Sequence, residues 1–381
     1  MQLRLSIAAA AVLVALSAQA EDYVSVQFLQ YDESNSRTSV SAPSLEINKD
    51  FGTDYTLNAS IVLDAVSGAS ETYYDSTSGA SAFSRKKDVA VSDIKYGNVP
   101  YEDNRVAGAL ALTTRFDNRD ELVTGVSYSS ESDFYSLEVS GEYKHWLTSS
   151  KNNSISLGAS YQFNEILVRC EENSECDASS GASEQMDANA LNVQMTYFQN
   201  LNETSYAKAS VFYIADDGYL SNPYLNVVRN YDATTAIADV VAENRPDKRS
   251  AYGVKFDYVN ALTTNTSMHL SYRFYDDDWD IMSHTFDSDV YYELGQDWVF
   301  KLGLRYYMQS EASFYSKDYL TNNPEYASSD YRLSDFNAIT YKSNVDYKFT
   351  KDFSGNFGVN YYDQSTDLDA IYFIAGFRYN F

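Results

Sequence analysis

Apolar and polar residues alternate with a period of two along most of this chain. The clearest run is 154–163, where Ile155, Leu157, Ala159, Tyr161 and Phe163 share one face and Ser156, Gly158, Ser160 and Gln162 the other. A second run, 298–306, sets Trp298, Phe300, Leu302, Leu304 and Tyr306 against Lys301, Gly303 and Arg305. Shorter stripes occur at Val24/Val26/Phe28, Tyr55/Leu57/Ala59/Ile61/Leu63, Leu191/Val193/Met195/Tyr197 and Tyr252/Val254/Phe256/Tyr258. Successive side chains of a strand point to opposite faces, so each run predicts a strand with one apolar and one polar face.

The links between these strands alternate in length. Short polar links fall at 50–54, 117–120, 149–153, 200–203, 263–266, 295–297 and 350–352; the four longest are 65–104, 167–187, 215–247 and 310–330. Short turns on one rim and long loops on the other describe a transmembrane antiparallel β-barrel. Seven short turns join fourteen strands, and one further strand at each end makes 16. The segments at 40–49 and 105–116 have the weakest alternation, and without them the count is 14. In lipid every backbone polar group must be paired, so the sheet has to close and its apolar stripes must face outward. A soluble β-sandwich would bury the same stripes between two sheets, but polar second faces on every strand argue against it.

Composition narrows this further. Mean hydropathy is -0.41, and no run after the first twenty residues approaches the roughly 20 apolar residues of a spanning helix. Aromatic residues make up 15% of the chain, which excludes an ordinary acidic disordered protein. A formal charge of -26 disfavours nucleic-acid binding, which needs a basic face. The 35 Tyr suit the interfacial girdles of a barrel, where an apolar ring meets lipid and a hydroxyl meets water.

Two ends of the chain carry signals of their own. Arg4, the apolar run 7–16 and Ala18-Gln19-Ala20 form an export signal over 1–20, leaving one barrel over 21–381. Export to an oxidising compartment makes Cys170 and Cys176 a local loop disulfide. At the other end Ile371, Phe373, Ala375, Phe377, Tyr379 and Phe381 alternate to the last residue. Gly376, Tyr379 and Phe381 resemble the C-terminal pattern by which the outer-membrane barrel assembly machinery recognises its substrates, although Ile374 stands where that pattern is usually polar. The expected location is the outer membrane of a Gram-negative cell.

Parity assigns Lys255, Asp257, Arg273, Asp287, Asp289, Glu293, Lys301, Arg305, Lys342, Asp346 and Lys348 to the lumen. Such a mixed wall either focuses a field across a pore or forms cross-strand ion pairs that stiffen it. The run Asp276-Asp277-Asp278 with Asp280 reads as solvated loop charge, because it lacks the spaced ligands of a calcium loop. A rim hydrolase would need His284 as its base, but parity turns His284 towards lipid with Met282 and Phe286, and no GxSxG or HExxH motif is present. The expectation is therefore no enzyme, no cofactor and no metal. The role expected is a channel for small polar or cationic solutes, with a closed receptor, adhesin or scaffold as the alternative. Nothing marks a surface for oligomer packing.

Several segments are more particular than alternation requires. They are Asp64-Ala65-Val66-Ser67-Gly68-Ala69-Ser70, Gly218-Tyr219-Leu220-Ser221-Asn222-Pro223-Tyr224, Asn244-Arg245-Pro246 with Arg249, and Tyr272-Arg273-Phe274-Tyr275-Asp276-Asp277-Asp278-Trp279. Ser283-His284-Thr285, Arg305-Tyr306-Tyr307-Met308-Gln309 with Phe314-Tyr315, and Ser329-Asp330-Tyr331-Arg332-Leu333-Ser334 complete the set. From about Asp64 onward the chain resembles an uncharacterised family of proteobacterial outer-membrane proteins known only as a domain of unknown function. Asp280 stands where that family has Gly. The resemblance implies a barrel and no established activity. It directs attention to Arg245, Arg249, Arg273, Arg305 and Arg332, each beside Tyr or Asp. Such arginines either pin folded-in loops to the wall or form a binding or constriction site in the mouth.

Overall fold

The alternating runs become paired strands throughout the computed structural model, which describes residues 22–77, 85–169 and 183–381. The first strands are β1 (Tyr23–Glu33), β2 (Thr38–Phe51), β3 (Tyr55–Asp75), β4 (Lys86–Ala90), β5 (Ile94–Arg115) and β6 (Glu121–Ser130). Then come β7 (Phe134–Trp146), β8 (Asn153–Arg169), β9 (Ser183–Asn202), β10 (Ser205–Gly218), β11 (Asn226–Asp232), β12 (Ile237–Ala242) and β13 (Lys248–Thr263). The last are β14 (Thr266–Asp277), β15 (Met282–Leu294), β16 (Trp298–Gln309), β17 (Phe336–Lys348), β18 (Phe353–Gln364) and β19 (Leu368–Asn380).

Sixteen of these strands form one closed antiparallel barrel, sealed where β1 pairs with β19 (Val26 opposite Phe377, Phe28 opposite Ala375). Closure leaves no strand edge for lipid to meet. The weakly alternating segments are present as β2 and β5, so the count of 16 holds. The short turns lie where the sequence places them; the β9–β10 turn has only residues 203 and 204 between its strands. The stripes face outward, with Leu302 65% and Leu157 59% exposed on the barrel surface. Such a band would be an aggregation liability in water and is the lipid contact of a barrel.

One link differs from expectation. Residues 65–104 are not mostly loop, because β3 and β5 stay paired from Tyr55–Thr114 to Asp75–Ile94. Spanning a bilayer takes about 9–11 residues per strand, and these strands have 21 and 22, so the hairpin projects well beyond the rim. Its projecting half meets no lipid, which is why it lacks an apolar stripe and reads as loop. On it rests a second sheet, β11–β12–β4. Val228, Ala238, Val240 and Val89 pack there against Tyr73 and Ile94.

Phe377 and Tyr379 of β19, and Phe381 just after it, point into the lipid band, and Gly376 points inward. A Cβ on Gly376 would come within 2.9 Å of the Val26 carbonyl oxygen, so the closing seam itself calls for glycine. The export signal at 1–20 and the Cys170–Cys176 pair lie outside the described residues.

Candidate functional site

Strand register stacks the lumenal residues of β13–β17 into rungs. Lys255, Arg273, Thr285 and Tyr307 form one; Asp257, Ser271, Asp287, Arg305 and Thr340 form the next. Below them come His269, Asp289, Gly303 and Lys342. The charges pair along the wall and not across the pore. Lys342 Nζ lies 3.1 Å from Asp287 and 2.6 Å from Asp289, Lys301 Nζ lies 3.1 Å from Asp289, and Arg305 Nε is 3.9 Å from Asp287. Of the two readings of this mixed wall, the structure thus has the cross-strand ion pairs.

Gly303 makes this pairing possible. Lys342 must cross β16 to reach two aspartates on β15, and Gly303 is the residue it crosses. A Cβ there would sit 1.9 Å from Asp289 Oδ1 and 2.7 Å from Lys342 Cε.

The wall formed by β2, β3 and β5–β9 is built differently. One rung, Asn48–Asn58–Ala111–Gly125–Ser140–Ser160–Asn192, crosses seven strands without a formal charge. The carboxylates beside it are held by neutral donors. Glu46 accepts from Tyr23 (2.7 Å) and Asn58 (2.8 Å), and Glu138 from Gln162 (2.6 Å). Side chains do not fill the space between the walls, since Arg305 faces the interior and its side chain is still 48% exposed.

Above the charged wall, the loops 219–247 and 310–335 fold into a cap. The second of these crosses the mouth. It leaves β16, where Ser313 N–H donates to the Trp279 carbonyl (3.0 Å), and reaches β3, where Tyr73 Oη donates to the Lys317 carbonyl. Its Tyr331 ring lies 5.4 Å beneath the Arg37 guanidinium. Trp279, Leu220, Ile281, Ala312 and Leu333 form the apolar core of this arrangement together with Ile166 and Ala188 of the barrel.

A buried charge cluster locks the cap. Arg332 grips Asp330 with two bonds (Nε–Oδ1 2.8 Å, Nη2–Oδ2 2.6 Å), and Arg245 donates to the same carboxylate at 2.7 Å. Arg245 also contacts Glu243 at 2.6 Å, as an ion contact without in-line hydrogen-bond geometry. Glu243 in turn accepts from Ser328 and from the Asn222 N–H, both at 2.5 Å. Burial acts to raise the Asp330 carboxyl, but Arg332 and Arg245 hold it well below the usual range. Burial pushes Glu243 up, against the pull of Arg245.

The arginines and acids singled out from the sequence thus fall into separate places. Arg245 and Arg332 lock the cap. Arg249 pairs with Asp277 (2.5 Å) and covers the Trp279 ring at 4.7 Å. Arg273, Arg305, Asp287, Asp289 and Lys301 belong to the lumenal wall. Glu293 does not join them; it is exposed near the short-turn rim, beside Asn265. The aspartate run also differs from expectation. Asp277 is buried and accepts from the N–H groups of Trp279 (2.9 Å) and Ile281 (3.0 Å). It is a structural cap for the tight β14–β15 turn, and only Asp278 and Asp280 remain solvated. His284 faces lipid as expected, with its Nδ1 2.9 Å from the Tyr272 hydroxyl.

Sequence reasoning missed the acids that organise these arginines: Glu243, Asp330 and Asp277. A signal was available, because Glu243-Asn244-Arg245 and Asp330-Tyr331-Arg332 both place an acid two residues before an arginine. It also missed the convergence of Asp103, Glu131 and Asp133 at the long-loop rim, where their carboxylate oxygens come within 4.8 Å of one another.

No curated protein matches this sequence. Among solved structures, it is similar to the CymD monoaromatic hydrocarbon channel at 8% identity, covering 96% of this chain and 89% of that one, with a TM-score of 0.45. A bacterial polysaccharide outer membrane secretin gives 7% identity, coverage of 96% and 99%, and a TM-score of 0.49. The Pseudomonas putida toluene transporter TodX gives 11%, 96% and 90%, with 0.42. These likenesses are distant, and the cargoes of those proteins are not carried over to this chain. A family model matches residues 2–376, further towards the N-terminus than the motifs alone reach, and the chain belongs to that family, described as Protein of unknown function (DUF3570).

Proposed function

We propose that the protein is a gated outer-membrane channel for small polar solutes. The observation that carries this reading is the lumen: a 16-stranded barrel is wide enough to hold water, and the inward-facing Arg305 remains half exposed. In this reading the cap is the gate, a loop across the mouth that stays shut while Asp330 keeps its arginines. Acidic outer loops raise the local concentration of cations at the mouth. The wall does not continue that preference, since its carboxylates are already paired with lysines. Export by residues 1–20 and insertion by the barrel assembly machinery through Gly376, Tyr379 and Phe381 are part of the same proposal.

The alternative is a receptor, adhesin or scaffold that presents the cap and conducts nothing. Purified full-length protein in planar bilayers separates the two. The channel gives discrete conductance steps, and silence across voltages and salts removes that reading. A hydrolase has no support in this geometry, because the base it would need faces lipid.

A further inference from the structure

We infer that the lumen below the cap holds a binding site for a small oxyanion, a carboxylate or phosphate group, with Arg273 and Arg305 as its cationic contacts. The inference rests on the channel reading only for how the anion arrives.

Arg273 is the central observation. Among the described residues it has no carboxylate or carbonyl partner. Its guanidinium lies against the Phe212 ring at 4.7 Å and the Tyr275 ring at 5.6 Å. Stacking through its faces fixes the plane and leaves the N–H edges unused, and those edges form a fork matched to an oxyanion. The stack is built in. Phe212 lies over Gly253, where a Cβ would meet the ring at 2.3 Å. Lys255, opposite Arg273 on β13, is occupied by Asp257 at 2.9 Å.

Arg305 adds the second charge. It lies one rung lower and one strand beyond Thr285, within electrostatic reach of Arg273. Its nearest acid is Asp287 at 3.9 Å, and Lys342 holds that same carboxylate more closely, at 3.1 Å. On β13–β17 the rungs from Arg273 down to Lys301 carry five cations (Lys255, Arg273, Lys301, Arg305, Lys342) and three carboxylates (Asp257, Asp287, Asp289). A locally positive wall inside a chain of charge -26 is the reverse of what composition suggests. Charge-assisted bonds from an incompletely paired guanidinium to an oxyanion are stronger than its bonds to neutral partners. Thr285, on the Arg273 rung, places a hydroxyl beside it, while Tyr307 on the same rung donates its own to Gln309 at 2.6 Å.

The test uses the full chain in two settings. Detergent-solubilised protein is titrated calorimetrically with sodium phosphate and, separately, sodium benzoate. The same preparation in bilayers is read for its reversal potential in a potassium chloride gradient. Wild type should bind one of the two anions, and which one identifies phosphate or carboxylate as the preferred group. Arg273→Gln and Arg305→Gln should each weaken binding by at least about tenfold, as expected for loss of a charged hydrogen bond. Arg273→Lys should keep the wild-type reversal potential, because it keeps the charge, and still lose affinity, because it loses the fork. A heat-modifiable gel shift confirms that each variant is folded, and Arg305→Gln, at an exposed side chain, remains available if the Arg273 variants are not. No binding of either anion, or equal affinity in the folded variants, overturns the site. Arginine-dependent binding without any current removes the channel reading and keeps the site. Current without arginine-dependent binding does the opposite.

Discussion

The two walls of the lumen solve the same problem with different chemistry. On β13–β17, carboxylates are neutralised by lysines and an arginine reaching across strands. On β2–β9 the rung from Asn48 to Asn192 needs no charge at all, the carboxylates next to it are held by Tyr23, Asn58 and Gln162, and ion pairs lie towards the two rims, at Lys144–Glu121 and Arg105–Asp64. On the first wall long charged side chains cross strands to meet, whereas the neutral rung of the second is made of Asn, Ala, Gly and Ser. The cap spans the mouth between the two walls and is fixed by the device of the first, a carboxylate shared between cations. The difference places the cross-strand charge pairs of the lumen on one half of the barrel and a charge-free rung on the other.

The largest expected effect comes from breaking the cap lock. Asp330→Ala leaves the nearly buried Arg245 and the partly exposed Arg332 without their acid, a change that costs up to about 3 kcal/mol. The loss should fall on the cap and not on the barrel. Limited proteolysis should cut within 310–335 while the heat-modifiable gel shift stays intact.

Glycine substitutions compare the walls directly. Gly303→Ala must separate Lys342 from Asp289 and should cost about 1–3 kcal/mol in urea unfolding, for paired groups left unpaired. Gly158→Ala, beside the neutral rung, meets the Glu142 side chain only at ordinary contact distances of 3.4 to 3.6 Å and should cost under about 0.5 kcal/mol. Equal effects would mean that the walls do not differ as described.

A smaller, pH-dependent effect should come from Glu243. A raised carboxyl value in the folded cap means that the cap holds a proton the opened loop has released. That contribution favours the cap at low pH and fades as pH rises from the ordinary 4.5 through the raised value. Asp330 has the opposite sign: its contribution is present above the ordinary 3.8 and fades as pH falls below it. Protection against hydrogen exchange across 219–247, taken relative to the intrinsic rate at each pH, should therefore fall in wild type as pH rises above 4.5, and Glu243→Gln should flatten that fall.

Much of the barrel was legible because the bilayer imposes period two on anything that spans it. Leu157 and Leu302 could be placed outward from parity alone. The projecting half of β3–β5 could not be, since no lipid imposes a stripe on Tyr73 and Tyr74. Parity also placed Arg273, Asp287 and Lys301 in the lumen. It could not say that Asp287 would serve Lys342 across Gly303, because register between strands is not written in either strand alone. The cap lock was the least visible. Arg245 and Asp330 are 85 residues apart, and their meeting depends on how two loops fold together. Asp277 misled because consecutive aspartates look solvated, and a tight turn buries the middle one.

The most direct test of the two-walled lumen is water access to the neutral wall. In a chain freed of Cys170 and Cys176 by serine substitution, Ser160→Cys and Ala159→Cys are exposed to a membrane-impermeant methanethiosulfonate in lipid vesicles. Ser160 faces the lumen and Ala159 faces lipid, so the first should react and the second should not. In bilayers, modification at position 160 should also reduce the conductance. A reactive position 159 with an inert position 160, or two inert positions, would contradict a water-filled path along this wall.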